Sequence, residues 1–162
     1  MSINIFIPGQ PQGKGRARSR IVKSKTGKQF TSHYTPAKTR SYENHIRACA
    51  IDAVGVNHKP TDQPVKLTLS MTYQIPLSWP LWKRMAALNG EVMPTVKPDA
   101  DNVEKAVKDG LNKIAWIDDC QVVACYKTKL YGEQAGIRAT IEIIKALPAQ
   151  IGRKPAPCME KV

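Results

Sequence analysis

The sequence predicts an α+β protein in two layers, with a mixed four-stranded sheet and two main helices packed on one of its faces. Four stretches, 2–7, 64–75, 121–131 and 135–145, are typical of strands, and the first two alternate apolar and polar residues. Two longer stretches, 36–54 and about 101–114, carry apolar residues three and four positions apart, as amphipathic helices do. Because the helices alternate with strands along 162 residues, we expect one compact domain with a single sheet.

The two alternating strands have clear inner faces and clear ends. The first places Ile3, Ile5 and Ile7 on one face and stops at a Pro-Gly pair. The second, which Pro76 terminates, is expected to bury every other residue: Val65, Leu67, Leu69, Met71 and Tyr73.

The first helix has a recognisable start. Thr35 is a capping residue type, and Pro36 suits the first helical position because its missing N–H would be unpaired there in any case. The helix is expected to run to about Val54 and to turn five residues inward: Tyr42, Ile46, Cys49, Ala50 and Ala53.

The remaining stretches complete the predicted domain of residues 1–145. Residues 77–96 form an excursion with a helix-like run, in which Trp79 and Trp82 are expected to pack against the domain. The last two strands are expected to form a hairpin through Gly132–Gln134. Residues 146–162, with three prolines, are expected to be a flexible tail.

Charge is the strongest compositional signal. The net charge is +12, and residues 12–40 hold nine Lys or Arg residues and no acidic residue. Such an excess favours a polyanionic partner. Nucleic acid is favoured over an anionic membrane, because no amphipathic membrane helix accompanies the basic run. The sequence thus predicts a flexible, glycine-hinged basic arm whose DNA-binding candidates are Lys14, Arg16, Arg18, Arg20, Lys23, Lys25 and Lys28.

The second half of this arm could form a basic hairpin. Residues 21–34 have strand-like character on either side of Thr26 and Gly27, where the chain is expected to turn. Phe30 and Tyr34 then have two possible roles, stacking on exposed bases or packing against the domain, and the sequence leaves both open.

Several other classes of site are disfavoured. Gly9 to Lys14 has the wrong spacing for a phosphate-binding P-loop, so no nucleotide cofactor is expected. The four cysteines form no CxxC pair, which disfavours a zinc site. No apolar run approaches the length of a membrane span and no signal peptide is visible, so a cytoplasmic protein without a membrane partner is expected.

The stretch Lys97 to Val123, KPDADNVEKAVKDGLNKIAWIDDCQVV, is the part of the chain that most suggests catalysis. Asp99 and Asp101 lie at the start of the second helix, with Lys105 one turn further on the face opposite its apolar stripe. Asp118 and Asp119 follow the helix. Each carboxylate could be a helix cap or part of a turn, but clustered carboxylates are also the ligands of hard cations such as Mg²⁺.

These residues resemble the RusA family of crossover junction endodeoxyribonucleases, the phage-type Holliday junction resolvases. The resemblance rests on KPDADN, Lys105, Asp109 and WIDDCQV, and more weakly on IPGQPQGKGRARSR and YTPAKTRSYE. It implies a RusA-like fold and a homodimer that makes paired, symmetric, Mg²⁺-dependent nicks, with Mn²⁺ as a possible substitute, in four-way DNA junctions during recombination and repair. By position it implies metal binding by Asp99, Asp101 and Asp119, an essential Lys105, and supporting roles for Asp118 and Asp109.

Two alternatives stay open on the sequence. A nuclease that acts on flaps or other branched DNA would need the same acidic and basic residues. A non-catalytic basic protein that binds nucleic acid would account for the charge and would leave the aspartates as caps.

Overall fold

The fold of the chain was analysed in a computed structural model that describes residues 2–23 and 29–145. In chain order the elements are β1 (Ser2–Pro8), β2 (Arg18–Lys23), β3 (Gln29–Tyr34), α1 (Ala37–Val54), β4 (Val65–Gln74), α2 (Leu81–Leu88), α3 (Ala100–Leu111), a 3₁₀ turn (Asp119–Gln121), β5 (Val122–Gly132) and β6 (Gly136–Ile143). Lys25, Lys28, the expected turn at Thr26–Gly27 and the expected tail, 146–162, lie outside the described residues.

Four strands form one mixed sheet in the order β1-β6-β4-β5. β6 pairs antiparallel with both β1 and β4, whereas β4 and β5 run parallel. Together with α1 and α3, this sheet confirms the predicted two-layer α+β class.

The core forms where α1 and α3 cover the sheet. β4 occupies the centre and buries alternate residues from Val65 to Tyr73, as its pattern predicted. α3 contributes Val103, Val107 and Leu111, which recur on one helical face. The two helices approach so closely that a Cβ added at Gly110 would lie 2.6 Å from the Cγ2 of Ile46, so this position accepts only glycine without a shift of the helices.

The expected β5–β6 hairpin is wrong. The two strands are consecutive and their connection is short, yet β4 lies between them and pairs with both. β4 is the strand with the most regular apolar alternation, so it gains most from a central position. β5 carries several exposed polar residues and becomes an edge strand instead.

Two smaller expectations about side-chain burial are also wrong. Ala53 is exposed, whereas Cys49 is partly buried and packs against the core, and Tyr42, Ile46 and Ala50 are buried as expected. In the excursion Trp79 packs edge-on against Tyr131 with ring centroids 5.1 Å apart, but Trp82 on α2 is 71% exposed. None of the helices within 2–23 and 29–145 is long and apolar enough to cross a membrane.

Candidate active site

The start of α3 is held in place by the ends of two strands. The hydroxyl of Tyr73 on β4 donates to the carbonyl oxygen of Pro98 at 3.3 Å, and the ammonium of Lys129 on β5 donates to the same oxygen at 3.2 Å and to the carbonyl of Val96. Burial, followed by the neighbouring Tyr42 and the charge of Asp99, raises the pKa of Tyr73 to about 12, so its hydroxyl remains a donor at neutral pH. These hydrogen bonds fix the position of the start of α3, where the first aspartates of the candidate site lie.

Asp99 and Asp101 lie on the exposed side of that start. Asp99 is the N-cap residue, but its side chain makes no capping hydrogen bond, so capping does not account for its carboxylate. Asp101 lies in the first turn and pairs with Lys105 at 3.4 Å, where both side chains are more than half exposed. The predicted shared face of Asp101 and Lys105 is confirmed, and an exposed pair of this kind stabilises a helix by only roughly 0.2 to 0.5 kcal/mol.

Glu104, which the sequence reasoning missed, joins α3 to β5. Its carboxylate accepts hydrogen bonds from Lys108 at 2.7 Å and from Lys127 on β5 at 2.6 Å. Burial opposes ionisation, but the two lysines outweigh it and lower the pKa of Glu104 to about 2. The Lys108 partner has the helical i, i+4 spacing, whereas nothing in the sequence indicates the pairing with Lys127.

Asp118 and Asp119 occupy the 3₁₀ turn that leads into β5. Asp118 caps this turn, since its carboxylate accepts from the Cys120 N–H at 3.3 Å while the Gln121 side chain accepts from the Asp118 N–H at 2.8 Å. The neighbouring Asp119 side chain, followed by the hydrogen bond from the Cys120 N–H, lowers the pKa of Asp118. Asp118 therefore acts as the cap of this turn, and the neighbouring Asp119 is exposed.

The basic arm begins as a docked segment, which corrects the expectation of a glycine-hinged, flexible start. The N–H of Lys14 donates to the Asn102 carbonyl at 2.9 Å, and the N–H of Gly15 donates to the buried Thr39 hydroxyl at 3.1 Å. A Cβ added at Gly13 would lie 3.0 Å from the Pro98 Cβ. These glycines permit a close approach of the arm to α1 and α3.

Lys14 takes part in a network of charges, although its side chain is still 41% exposed. Its ammonium forms an ion pair with Asp109 on α3, which is the first cause of the raised pKa of Lys14, and the charges of Glu43 and Asp119 add to it. Glu43 on α1 is a second missed residue: burial and then the charge of Asp109 raise its pKa, and Lys14 opposes this rise. Lys14 therefore holds the arm on the acidic surface and compensates its charge.

Beyond Lys14 the arm borders a basic groove of about 590 Å³. The groove lies between the arm, the start of α1 and the residues just before α3, and its cationic residues are Arg16, Arg18, Lys38 and Lys97. Lys97 was not among the predicted DNA-binding residues, because its proximity to the arm depends on the fold. Lys38 belongs to the basic run of residues 12–40 but was not among the named candidates. Arg18, Arg20 and Lys23 are exposed on β2.

The carboxylates occur in pairs. Within the described ranges, 2–23 and 29–145, no three His, Cys, Asp or Glu side chains lie together as a ready-made metal site. Mg²⁺ is usually held by one or two carboxylates, with water and substrate phosphates completing its shell, so paired, exposed carboxylates suit that ion. A single metal set of Asp99, Asp101 and Asp119 stays a prediction.

Comparison with known proteins agrees with this combination of acidic and basic surfaces. Residues 8–143 match the family model described as "Endodeoxyribonuclease RusA". The chain is also similar to "Uncharacterized protein YqaN" of Bacillus subtilis (strain 168), with 30% identity over 149 residues that cover 89% of this chain and 98% of the relative. The family match spans the docked arm, both main helices and the strands β4, β5 and β6, and it includes only Pro8 of β1. The chain belongs to the RusA endodeoxyribonuclease family.

Proposed function

We propose that this protein is a divalent-metal-dependent endodeoxyribonuclease that resolves four-way DNA junctions by paired, symmetric nicks. The observation that carries the proposal is the position of the basic groove, which shares Lys97 and Pro98 with the residues that lead into Asp99 and Asp101. A DNA backbone lying along Arg16 and Lys38 would therefore present a phosphodiester at the start of α3. A protein that only bound DNA would gain nothing from exposed carboxylates there, because they repel phosphate.

The residues of the chain have distinct proposed tasks. Asp99, Asp101 and Asp119 would hold Mg²⁺, or Mn²⁺ in its place, which supplies Lewis-acid activation of the phosphodiester when bound. Lys105, already near Asp101, would neutralise charge that develops on the phosphoryl oxygens. Asp118, as the cap of the 3₁₀ turn, orients the segment that carries Asp119.

Asp109 has a supporting task at a distance. Its carboxylate pairs with Lys14 and so keeps the arm against α3, instead of contacting the cleaved bond. Residues 1–145 are proposed to act as one nuclease domain, and a homodimer is proposed because two symmetric nicks need two equivalent sites. The mass of the protein in solution, measured by light scattering after gel filtration, tests the dimer directly.

The main test compares cleavage with binding. Asp101→Asn and Asp119→Asn are expected to abolish nicking of a labelled four-way junction in Mg²⁺ while leaving binding unchanged or tighter, because each removes a negative charge near the DNA. Asp52→Asn, an exposed change on α1, serves as the matched control and should cut normally. EDTA should abolish cleavage by the unaltered protein. Loss of binding together with cleavage would point to a folding defect and count against the metal site.

Two outcomes would favour the alternatives. Binding of the junction without any nicking in Mg²⁺ or Mn²⁺ would assign the chain a purely DNA-binding role, in which the Asp101–Lys105 pair is an ordinary surface pair. Efficient cutting of a flap or fork, with unpaired incisions on the four-way junction, would assign it to nucleases of other branched DNA.

A further inference from the structure

The ribbon formed by β2 and β3 has one face on which arginines and aromatic rings alternate. The register places Arg18 opposite Tyr34 and Val22 opposite Phe30, with Arg20 opposite a serine between them. Since side chains at alternate positions of paired strands share a face, all six of these residues, including the serine, lie on one side of the ribbon. The guanidinium of Arg20 lies 5.8 Å from the centroid of the Tyr34 ring, which agrees with this assignment.

The aromatic residues of this face remain substantially exposed to solvent. The ribbon forms a sheet of its own and does not join the four-stranded sheet. Phe30 is 52% exposed and Tyr34 is 41% exposed. Packing against the domain, one of the two roles that the sequence left open for these rings, therefore leaves about half of the surface of each residue free for a ligand.

The charge of the ribbon indicates which class of ligand this face binds. Residues 12–40 contain no carboxylate, so a polyanion can approach the ribbon without repulsion from its own strands. Exposed rings beside guanidinium groups suit a ligand that offers both flat apolar surfaces and phosphates, as a strand of unstacked bases does. A membrane surface offers phosphates but no such rings.

We propose that Arg18, Arg20, Phe30 and Tyr34 form a stacking face for unstacked bases of DNA, which the two rings contact while the two arginines bind the flanking phosphates. Phe30 and Tyr34 are four residues apart on β3, or about 13 Å, so they contact separate bases. Bases in an intact duplex are covered by their neighbours, whereas a branch point exposes them. The face thus prefers branched or single-stranded DNA over duplex, and only its use of the branch point rests on the proposed junction cleavage.

The first experiment measures stacking without any cleavage. The full-length protein in EDTA is titrated with a fluorescent 20-nucleotide oligothymidine and with an abasic strand of equal length and charge. The unaltered protein should bind the strand with bases at least about tenfold more tightly, and the F30L/Y34L double variant should lose most of this preference. The salt dependence of DNA binding by F30L/Y34L should equal that of the unaltered protein, because the variant removes no charge. Thr31→Ala, on the opposite face of the ribbon, is the matched control and should keep the preference.

A second measurement tests whether this face contacts the bases at the branch point of a junction. With 2-aminopurine at the branch point, the unaltered protein and Thr31→Ala should quench its fluorescence on binding, and F30L/Y34L should not. Equal affinity of the unaltered protein for both strands, or the same loss in Thr31→Ala, overturns the proposal and leaves the face to a protein partner. A base preference in a protein that never nicks a junction would uphold this inference while refuting the proposed function. Thermal unfolding shows whether F30L/Y34L remains folded.

Discussion

Glu104 offers a prediction whose size follows from the structure. Its hydrogen bonds from Lys108 and Lys127 outweigh the effect of burial and lower its pKa from 4.5 to about 2. At about 1.4 kcal/mol per tenfold change in the ionisation constant, this difference corresponds to roughly 3 kcal/mol of folding free energy. The Lys127 side chain is 34% exposed, so screening by water reduces the expected contribution to about 2 kcal/mol. Glu104→Gln should lower the free energy of unfolding by about that amount at pH 7.

The same change has a defined pH dependence. Because the folded pKa is lower than the unfolded one, the stabilisation is fully present above about pH 4.5 and is lost as the pH falls toward 2. Urea unfolding followed by the fluorescence of the buried Trp116, repeated from pH 7 to pH 2.5, measures the difference between Glu104→Gln and the unaltered protein. That difference should shrink steadily over the acidic part of the range.

A matched control shows whether the loss of stability comes from this ion pair or would follow from the replacement of any paired glutamate. Glu142 pairs with Lys66 across two strands, but both side chains are about 40% exposed, so Glu142→Gln should change stability much less. Equal effects of the two variants, or a Glu104→Gln effect that does not vary with pH, would refute the reasoning. Glu104→Gln should still nick DNA at temperatures where it is folded, since Glu104 has no proposed chemical role.

Three further predictions concern the arm and the start of α3. Lys14→Gln should weaken folding without reducing the salt dependence of junction binding, because Lys14 is paired with Asp109. Arg16→Gln should reduce the slope of log K against log salt by about one, because Arg16 lines the basic groove. Gly13→Ala should destabilise the protein by about 1–2 kcal/mol in urea unfolding, since its Cβ would press on Pro98 at 3.0 Å. Tyr73→Phe removes one donor to the Pro98 carbonyl and should slow nicking several-fold at little cost in stability, and an unchanged rate would argue against anchoring by that hydroxyl.

Local pattern was sufficient for the elements that carry the candidate site. The alternation of β4 and the apolar stripe of α3 are repeated within a few residues of the chain, so burial of Leu67 or Val107 could be predicted without knowing any partner. The same holds for the shared face of Asp101 and Lys105, which needs only the helical repeat.

Contacts between distant segments could not be predicted in this way. The hairpin expectation for β5 and β6 failed because the preference of β4 for a central position outweighs the short connection between them. Likewise the pairing of Lys14 with Asp109 spans 95 residues, and the approach of Glu43 to that pair depends on how α1 crosses α3.

The sequence by itself determined that this protein has an acidic helix start and an acid-free basic segment, and its motifs identified the family. Only the tertiary structure decided how those two parts meet: Lys14 is taken up by Asp109, the basic groove forms beside Pro98, and the aromatic face of the β2–β3 ribbon stays open. The physical reason is that composition and periodicity are properties of neighbouring residues, whereas compensation of charge and exposure of a face depend on which distant segments pack together.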